Sequence, residues 1–152
     1  MKQFSASNEA RSWLIVGLLV LINGVSSTNA EELQGKAIQV LNQNSFLLGS
    51  EKWHIALCGV SYRPEGSEQF NESKHFLEKT LGEDQIQCRR EGEGTPCDGR
   101  IGNMPGDIIY AQCFVDGKDI AEVIFEAGYS CEMLNYTKGF YSRSARCSSK
   151  LW

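Results

Sequence analysis

Six cysteines, at positions 58, 88, 97, 113, 131 and 147, constrain this 152-residue chain more than any other feature. So many in so short a chain point to covalent staples or a metal site. The N-terminal segment decides between them. Lys2 and Arg11 form a weakly positive leader, and residues 13–22 are a short apolar run. The small-polar stretch 25–30 follows and ends in Thr28-Asn29-Ala30. That order is the pattern of an export signal spanning 1–30, with a mature start at Glu31. The run is short for a comfortable membrane span, although an uncleaved anchor is the other reading. Either way the remaining chain lies outside the cytoplasm, periplasmic or secreted, where disulfides persist.

A zinc site is the weaker reading of the cysteines. No Cys-x-x-Cys occurs, and the histidines are only His54 and His75. Cys58 and His54 lie four apart on an expected strand, roughly 13 Å from one another, too far for a nucleophile and its base. His54 alternates with apolar neighbours and is expected to be structural or exposed. His75 is expected on the open side of a helix.

Charge narrows the partners. Without Lys2, Arg11 and Glu9, 13 basic and 18 acidic side chains remain, a net charge of −5. Proteins that grip phosphates carry a basic face, so tight nucleic-acid binding is disfavoured. Lys138, Arg143, Arg146 and Lys150 gather near the C-terminus and read as a solvated helix face. Asn71-Glu72-Ser73 and Asn135-Tyr136-Thr137 match the N-glycosylation pattern, relevant in a eukaryotic export route.

Residues 35–41 alternate and predict a strand, 45–48 follow as a second, and 52–60 form an apolar third. Residues 68–81 predict a helix with Phe70, Phe76, Leu77 and Leu81 on one side and Gly82 as its stop. Residues 85–89 predict a fourth strand, 91–107 a long loop, and 108–115 a fifth strand. Asp116-Gly117 is a turn signal. Residues 118–127 predict a second helix with Ile120, Val123 and Ile124 buried, and a polar helix is expected from Glu132. Five short strands with a helix between the third and fourth predict an α+β chain built on a five-stranded OB barrel at 31–131. A disulfide-tethered helical tail, 132–152, completes the expected organisation. The neighbouring fourth and fifth strands place Cys88 beside Cys113. Cys131 and Cys147 flank the tail and could staple it, closing a loop worth roughly 3 kcal/mol. Cys58 is either a buried thiol or the partner of Cys97.

Three segments carry a resemblance. The first runs from Cys113-Phe114-Val115-Asp116-Gly117-Lys118-Asp119-Ile120-Ala121 to Glu126-Ala127-Gly128-Tyr129. The second is Ala56-Leu57-Cys58-Gly59-Val60 with Pro64-Glu65, and the third is Val40-Leu41-Asn42-Gln43-Asn44-Ser45. In order and spacing they resemble the staphylococcal-nuclease (thermonuclease) family over roughly 35–141. The resemblance implies an OB barrel and phosphodiester cleavage with a calcium ion on two Asp carboxylates. It also implies a Glu that activates water and two Arg on the phosphate, because cleavage needs a Lewis acid, an oriented water and positive charge on the equatorial oxygens.

Most of those positions are replaced here. The first metal-binding Asp falls on Asn44, and the second on Ser61, or on Tyr62 in a shifted alignment. The first phosphate-binding Arg falls on Ala56, and the second on Ile108, or on Asp107 with a one-residue shift. The Glu is kept as Glu65. Arg63, Arg100 within Asp98-Gly99-Arg100, and the pair Arg89 and Arg90 are the cations that could stand in. Calcium affinity depends on ligand charge, and two formal negative charges are missing. Losing one preorganised charge stabiliser costs about a hundredfold in rate.

The expectation is therefore a monomeric, exported, disulfide-bonded barrel with a degenerate nuclease site and no cofactor. Its concave face would bind a non-nucleic ligand or a protein partner. An accessory scaffold in the periplasm is a variant of that reading. The enzymatic alternative is a secreted calcium-dependent endonuclease using Glu65 with Arg63 or Arg100.

Overall fold

A computed structural model describes residues 32–90, 92, 94–98 and 107–141. The expected export signal, Arg100 and Cys147 lie outside them, as do Arg143, Arg146 and Lys150. The fold is α+β, with helices packed on a sheet of seven strands.

Chain order is β1 (Glu32–Gly35), β2 (Ala37–Asn42), β3 (Ser45–Leu48), β4 (Trp53–Leu57), α1 (Glu68–Leu81), β5 (Ile86–Arg90), β6 (Ile108–Val115), β7 (Lys118–Asp119), α2 (Ile120–Glu126) and α3 (Leu134–Thr137). The sheet path is β1-β5-β6-β4-β3-β2, with β7 paired to β6. All neighbours are antiparallel except β4 and β6. The hydrogen-bonded ladders leave the path open, not closed into a barrel. Its two end strands are nevertheless consecutive in the chain, with only Lys36 between them.

That break corrects the expected first strand. The chain switches partners at Lys36: Gly35 pairs with Ile86 of β5, whereas Ala37 pairs with Leu48 of β3. The switch depends on close backbone approach. A Cβ on Gly35 would lie 2.8 Å from the Gly49 Cα, and Gly49 N–H donates to the Lys36 carbonyl at 3.0 Å.

α1 has the predicted bounds. Ser67 caps it, its hydroxyl accepting from Phe70 N–H at 3.1 Å, and Gly82 at φ 50° ends it. Phe70, Ser73, Leu77 and Leu81 form the buried stripe, while Phe76 is half-buried and stacks on Tyr129. The second helix starts later than expected. Asp116 and Gly117, both at positive φ, form a two-residue hairpin turn that draws Lys118 and Asp119 into β7. Asp119 then caps α2 by accepting from Ala121 and Glu122 N–H. The buried positions of α2 include Phe125, and Val123 is only half-buried. The third strand is shorter than expected, ending at Leu57. The helix expected from Glu132 is a single turn, α3, before the described residues end at Tyr141.

Phe46, Leu48, Ile55, Leu57, Ile86 and Phe125 fill the core. Each such buried side chain contributes about 1.5–3 kcal/mol. Two disulfides reinforce it. Cys88 and Cys113 face each other across β5 and β6, with Cα atoms 4.0 Å apart. Cys58, just after β4, bonds Cys97 of the long loop. Cys131 is also disulfide-bonded, and Cys147, its expected partner, lies outside the described residues. These bonds are compatible with an exported protein. Among the described residues no helix is long and apolar enough to cross a membrane.

Candidate functional site

Alternation along β3, β4 and β6 sends one set of side chains into the core and the other to the opposite face. Phe46 and Ile55, paired across β3 and β4, point inward and are fully buried. On the other face, register aligns Ser45, Ala56 and Tyr110 in one row and Leu47, His54 and Ile108 in the next. All of these except Leu47 floor a cavity of about 300 Å³.

Four of the positions singled out by resemblance meet there, one of them Tyr62, the shifted alternative to Ser61. Asn44 comes from the β2–β3 turn, Ala56 from the middle of β4, and Ile108 from the start of β6. Ser61 lies just behind the wall and does not line the cavity. Its hydroxyl is 2.9 Å from that of Ser130 and accepts from Cys131 N–H at 3.2 Å.

The turn 43–44 is bonded onto the segment 59–61. The Asn44 side-chain amide donates to the Val60 carbonyl at 3.1 Å, Gln43 donates to the Ser61 carbonyl, and Asn44 accepts from Leu57 N–H. Neutral amides and hydroxyls therefore hold the region together.

The outer wall comes from far along the chain. Residues 131–133 pair with 59–61: Ser61 N–H donates to the Cys131 carbonyl, Met133 N–H donates to the Gly59 carbonyl at 2.7 Å, and Val60 bridges Glu132. The Glu132 carboxylate accepts from the Thr137 hydroxyl and from Tyr141 N–H, which folds α3 back over the site. Met133 and Tyr136 thereby reach the cavity. Gly59 is at φ +73°, and a Cβ there would overlap Cγ2 of Thr137.

Tyr62, Tyr110 and Tyr136 give the cavity three phenol rings. Among the described residues His54 is the one imidazole in the lining, with Nε2 3.3 Å from the buried Ser45 hydroxyl. Among the described residues the lining contains no Asp, Glu, Lys or Arg.

Glu65 is exposed and does not line the cavity. Desolvation, the Glu65 charge and a hydrogen bond to Glu65 raise the Tyr62 phenol above the usual range, so Glu65 reaches the site only through Tyr62. Arg63 is half-buried and outside the lining. Arg89 lies over the Phe114 ring at 5.4 Å, away from the cavity.

The calcium that the resemblance implies does not fit this donor set. Asn44 offers a neutral amide, the Ser61 hydroxyl is committed to Ser130 and Cys131, and among the described residues no carboxylate lines the site. Among the described residues no three His, Cys, Asp or Glu side chains cluster.

A larger, more open hollow of about 540 Å³ lies beside α2, where Asp119, Glu122, Glu126 and Tyr141 line it. The first resembling segment lines it through Phe114, Gly117, Lys118 and Asp119, but none of the positions to which the resemblance assigns metal or phosphate binding does. The Ser73 hydroxyl of the first glycosylation triplet is buried and donates to the Tyr129 carbonyl, and that of the second, Thr137, is buried on Glu132. His75 lies on the exposed side of α1, 3.5 Å from Glu78.

Tyr110, Tyr136, Met133 and Ser130 were not singled out as site residues in the sequence, whereas Tyr62 was, as the shifted-alignment position of the second metal-binding Asp. Tyr110 alternates visibly in β6. Tyr136 and Met133 carry no local signal, because packing of 131–137 on 59–61 is what brings them there. No family model and no curated protein matches this chain.

Proposed function

We propose that this is an exported thermonuclease-like protein that has lost the phosphodiester-cleaving site and serves as a binding or accessory module outside the cytoplasm, periplasmic or secreted. One observation carries the reading: Asn44, Ala56 and Ile108 line one cavity whose described lining has no carboxylate and no guanidinium. The calcium-dependent site that the resemblance implies needs both, since metal affinity comes from ligand charge and rate from preorganised cations on the phosphate.

The OB-barrel reading belongs to this proposal. It draws support from the chain passing at Lys36 from one end of the sheet path to the other, as a single bent barrel strand would. The cavity occupies the face of β3, β4 and β6 opposite the core.

The test is incubation of the purified protein with DNA and with RNA, in calcium and in chelator. No cleavage in either condition, and no thermal shift with calcium, is the expected result. Calcium-dependent cleavage that disappears in Glu65→Gln would overturn the reading in favour of a nuclease with a rearranged site.

A further inference from the structure

We infer that the cavity takes one uncharged ring, with an apolar face and one or two hydrogen-bonding substituents. The inference rests on the proposed function in one respect only, that the site binds rather than cleaves. Three properties of the lining lead to it.

The first is charge. A ligand enclosed here meets no Asp, Glu, Lys or Arg among the described residues. A carboxylate, phosphate or ammonium would lose its hydration with no ion to pair, which is costly, whereas a neutral ring loses little. The second is shape. About 300 Å³ is the lower end of the size of small-molecule sites, room for a ring and its substituents rather than a polymer. Ala56 creates part of that room, because a methyl stands at the middle of the floor between Ser45 and Tyr110. The third is the surface offered. Tyr62, Tyr110 and Tyr136 line the cavity together with Ile108, Val60 and Met133, an aromatic and aliphatic surface that suits the apolar face of a ring. The Ser45–His54 pair and the Asn42 and Asn44 side chains are the polar groups that would orient the substituents.

A neutral sugar and a neutral phenol share this chemistry, and the two probes separate them. Saturation-transfer NMR on the full chain would use methyl glucoside and phenol at millimolar concentration. Glucuronate, benzoate and adenosine monophosphate are the charged counterparts. Transfer to at least one neutral probe is expected, with its charged counterpart at least about tenfold weaker. Ala56→Arg fills the floor and should abolish the signal. Tyr136→Ala removes only the outer wall and should weaken it in a protein that remains folded by circular dichroism. No transfer to either neutral probe overturns the inference. So does binding of a charged counterpart as tight as that of the neutral one, or unchanged binding in Tyr136→Ala. Each result is independent of cleavage, so failure of the ring-binding inference and failure of the non-nuclease reading are read from different experiments.

Discussion

Gly59 and Thr137 touch so closely that a Cβ on Gly59 would overlap Cγ2 of Thr137. The contact packs the segment after β4 against α3, whose Tyr136 lines the cavity. Gly59→Ala is expected to destabilise the protein by about 2 kcal/mol or more, from a left-handed backbone at φ +73° plus the clash. Thr137→Ser removes the clashing methyl and keeps the hydroxyl on Glu132. Combined with Gly59→Ala, it should recover the steric part of the loss and leave the backbone part. Denaturant midpoints of the three variants measure both.

Asn44→Asp looks like a restoration of a metal-binding carboxylate, yet it should destabilise. The Asn44 side-chain amide donates to the Val60 carbonyl, and a carboxylate would set two acceptors against each other. A loss of about 1–3 kcal/mol at neutral pH is expected, diminishing in acid as the new carboxyl is protonated. Urea unfolding at pH 7 and at low pH reads the difference.

Asp119 accepts from four donors. These are Ala121 and Glu122 N–H at the start of α2, the Gln112 amide at 2.7 Å, and the Tyr141 hydroxyl at 3.1 Å. Asp119→Ala removes the cap and the shared acceptor of the buried Gln112 and Tyr141 side chains, for a loss of about 3 kcal/mol. Gln112→Leu added to Asp119→Ala should cost less than the sum of the two single variants, measurable by a double-mutant cycle.

Tyr141 supplies a pH dependence. Burial first, then the Asp119 charge and the hydrogen bond to it, raise its phenol well above the usual range. The folded state therefore keeps the proton where the unfolded chain releases it, from about pH 10 upward. Stability from this group is complete below that pH and falls as pH rises above it. Tyr141→Phe should flatten the alkaline limb of the stability profile. Absorbance titration of phenolate should show one fewer tyrosine resisting ionisation in the variant.

Periodicity and capping are local properties, and the elements they govern were legible in the chain. Ser67, the stripe Phe70, Leu77, Leu81 and the stop at Gly82 define α1 within one stretch. The apolar run of β6, interrupted by Gln112, and the Asp116-Gly117 turn are equally local. The neighbouring fourth and fifth strands were enough to place Cys88 beside Cys113. Where long-range pairing competes with local pattern, pattern loses. Residues 35–41 alternate like one strand, but Gly35 and Ala37 find different partners, and the Gly35–Gly49 approach lets the backbone turn between them. Lys118 and Asp119 continue a helical pattern, but the tight hairpin holds them in the sheet.

The sequence by itself determined that Asn44, Ala56, Ser61 and Ile108, the positions to which the nuclease resemblance points, carry neither a carboxylate nor a guanidinium, because those identities can be read without coordinates. The tertiary structure alone decided what stands in their place. Residues 131–133 bond to 59–61 across about 70 positions of chain, and no local preference encodes that contact. Only that packing brings Met133 and Tyr136 against Asn44, Ala56 and Ile108, and turns separate replacements into one neutral cavity.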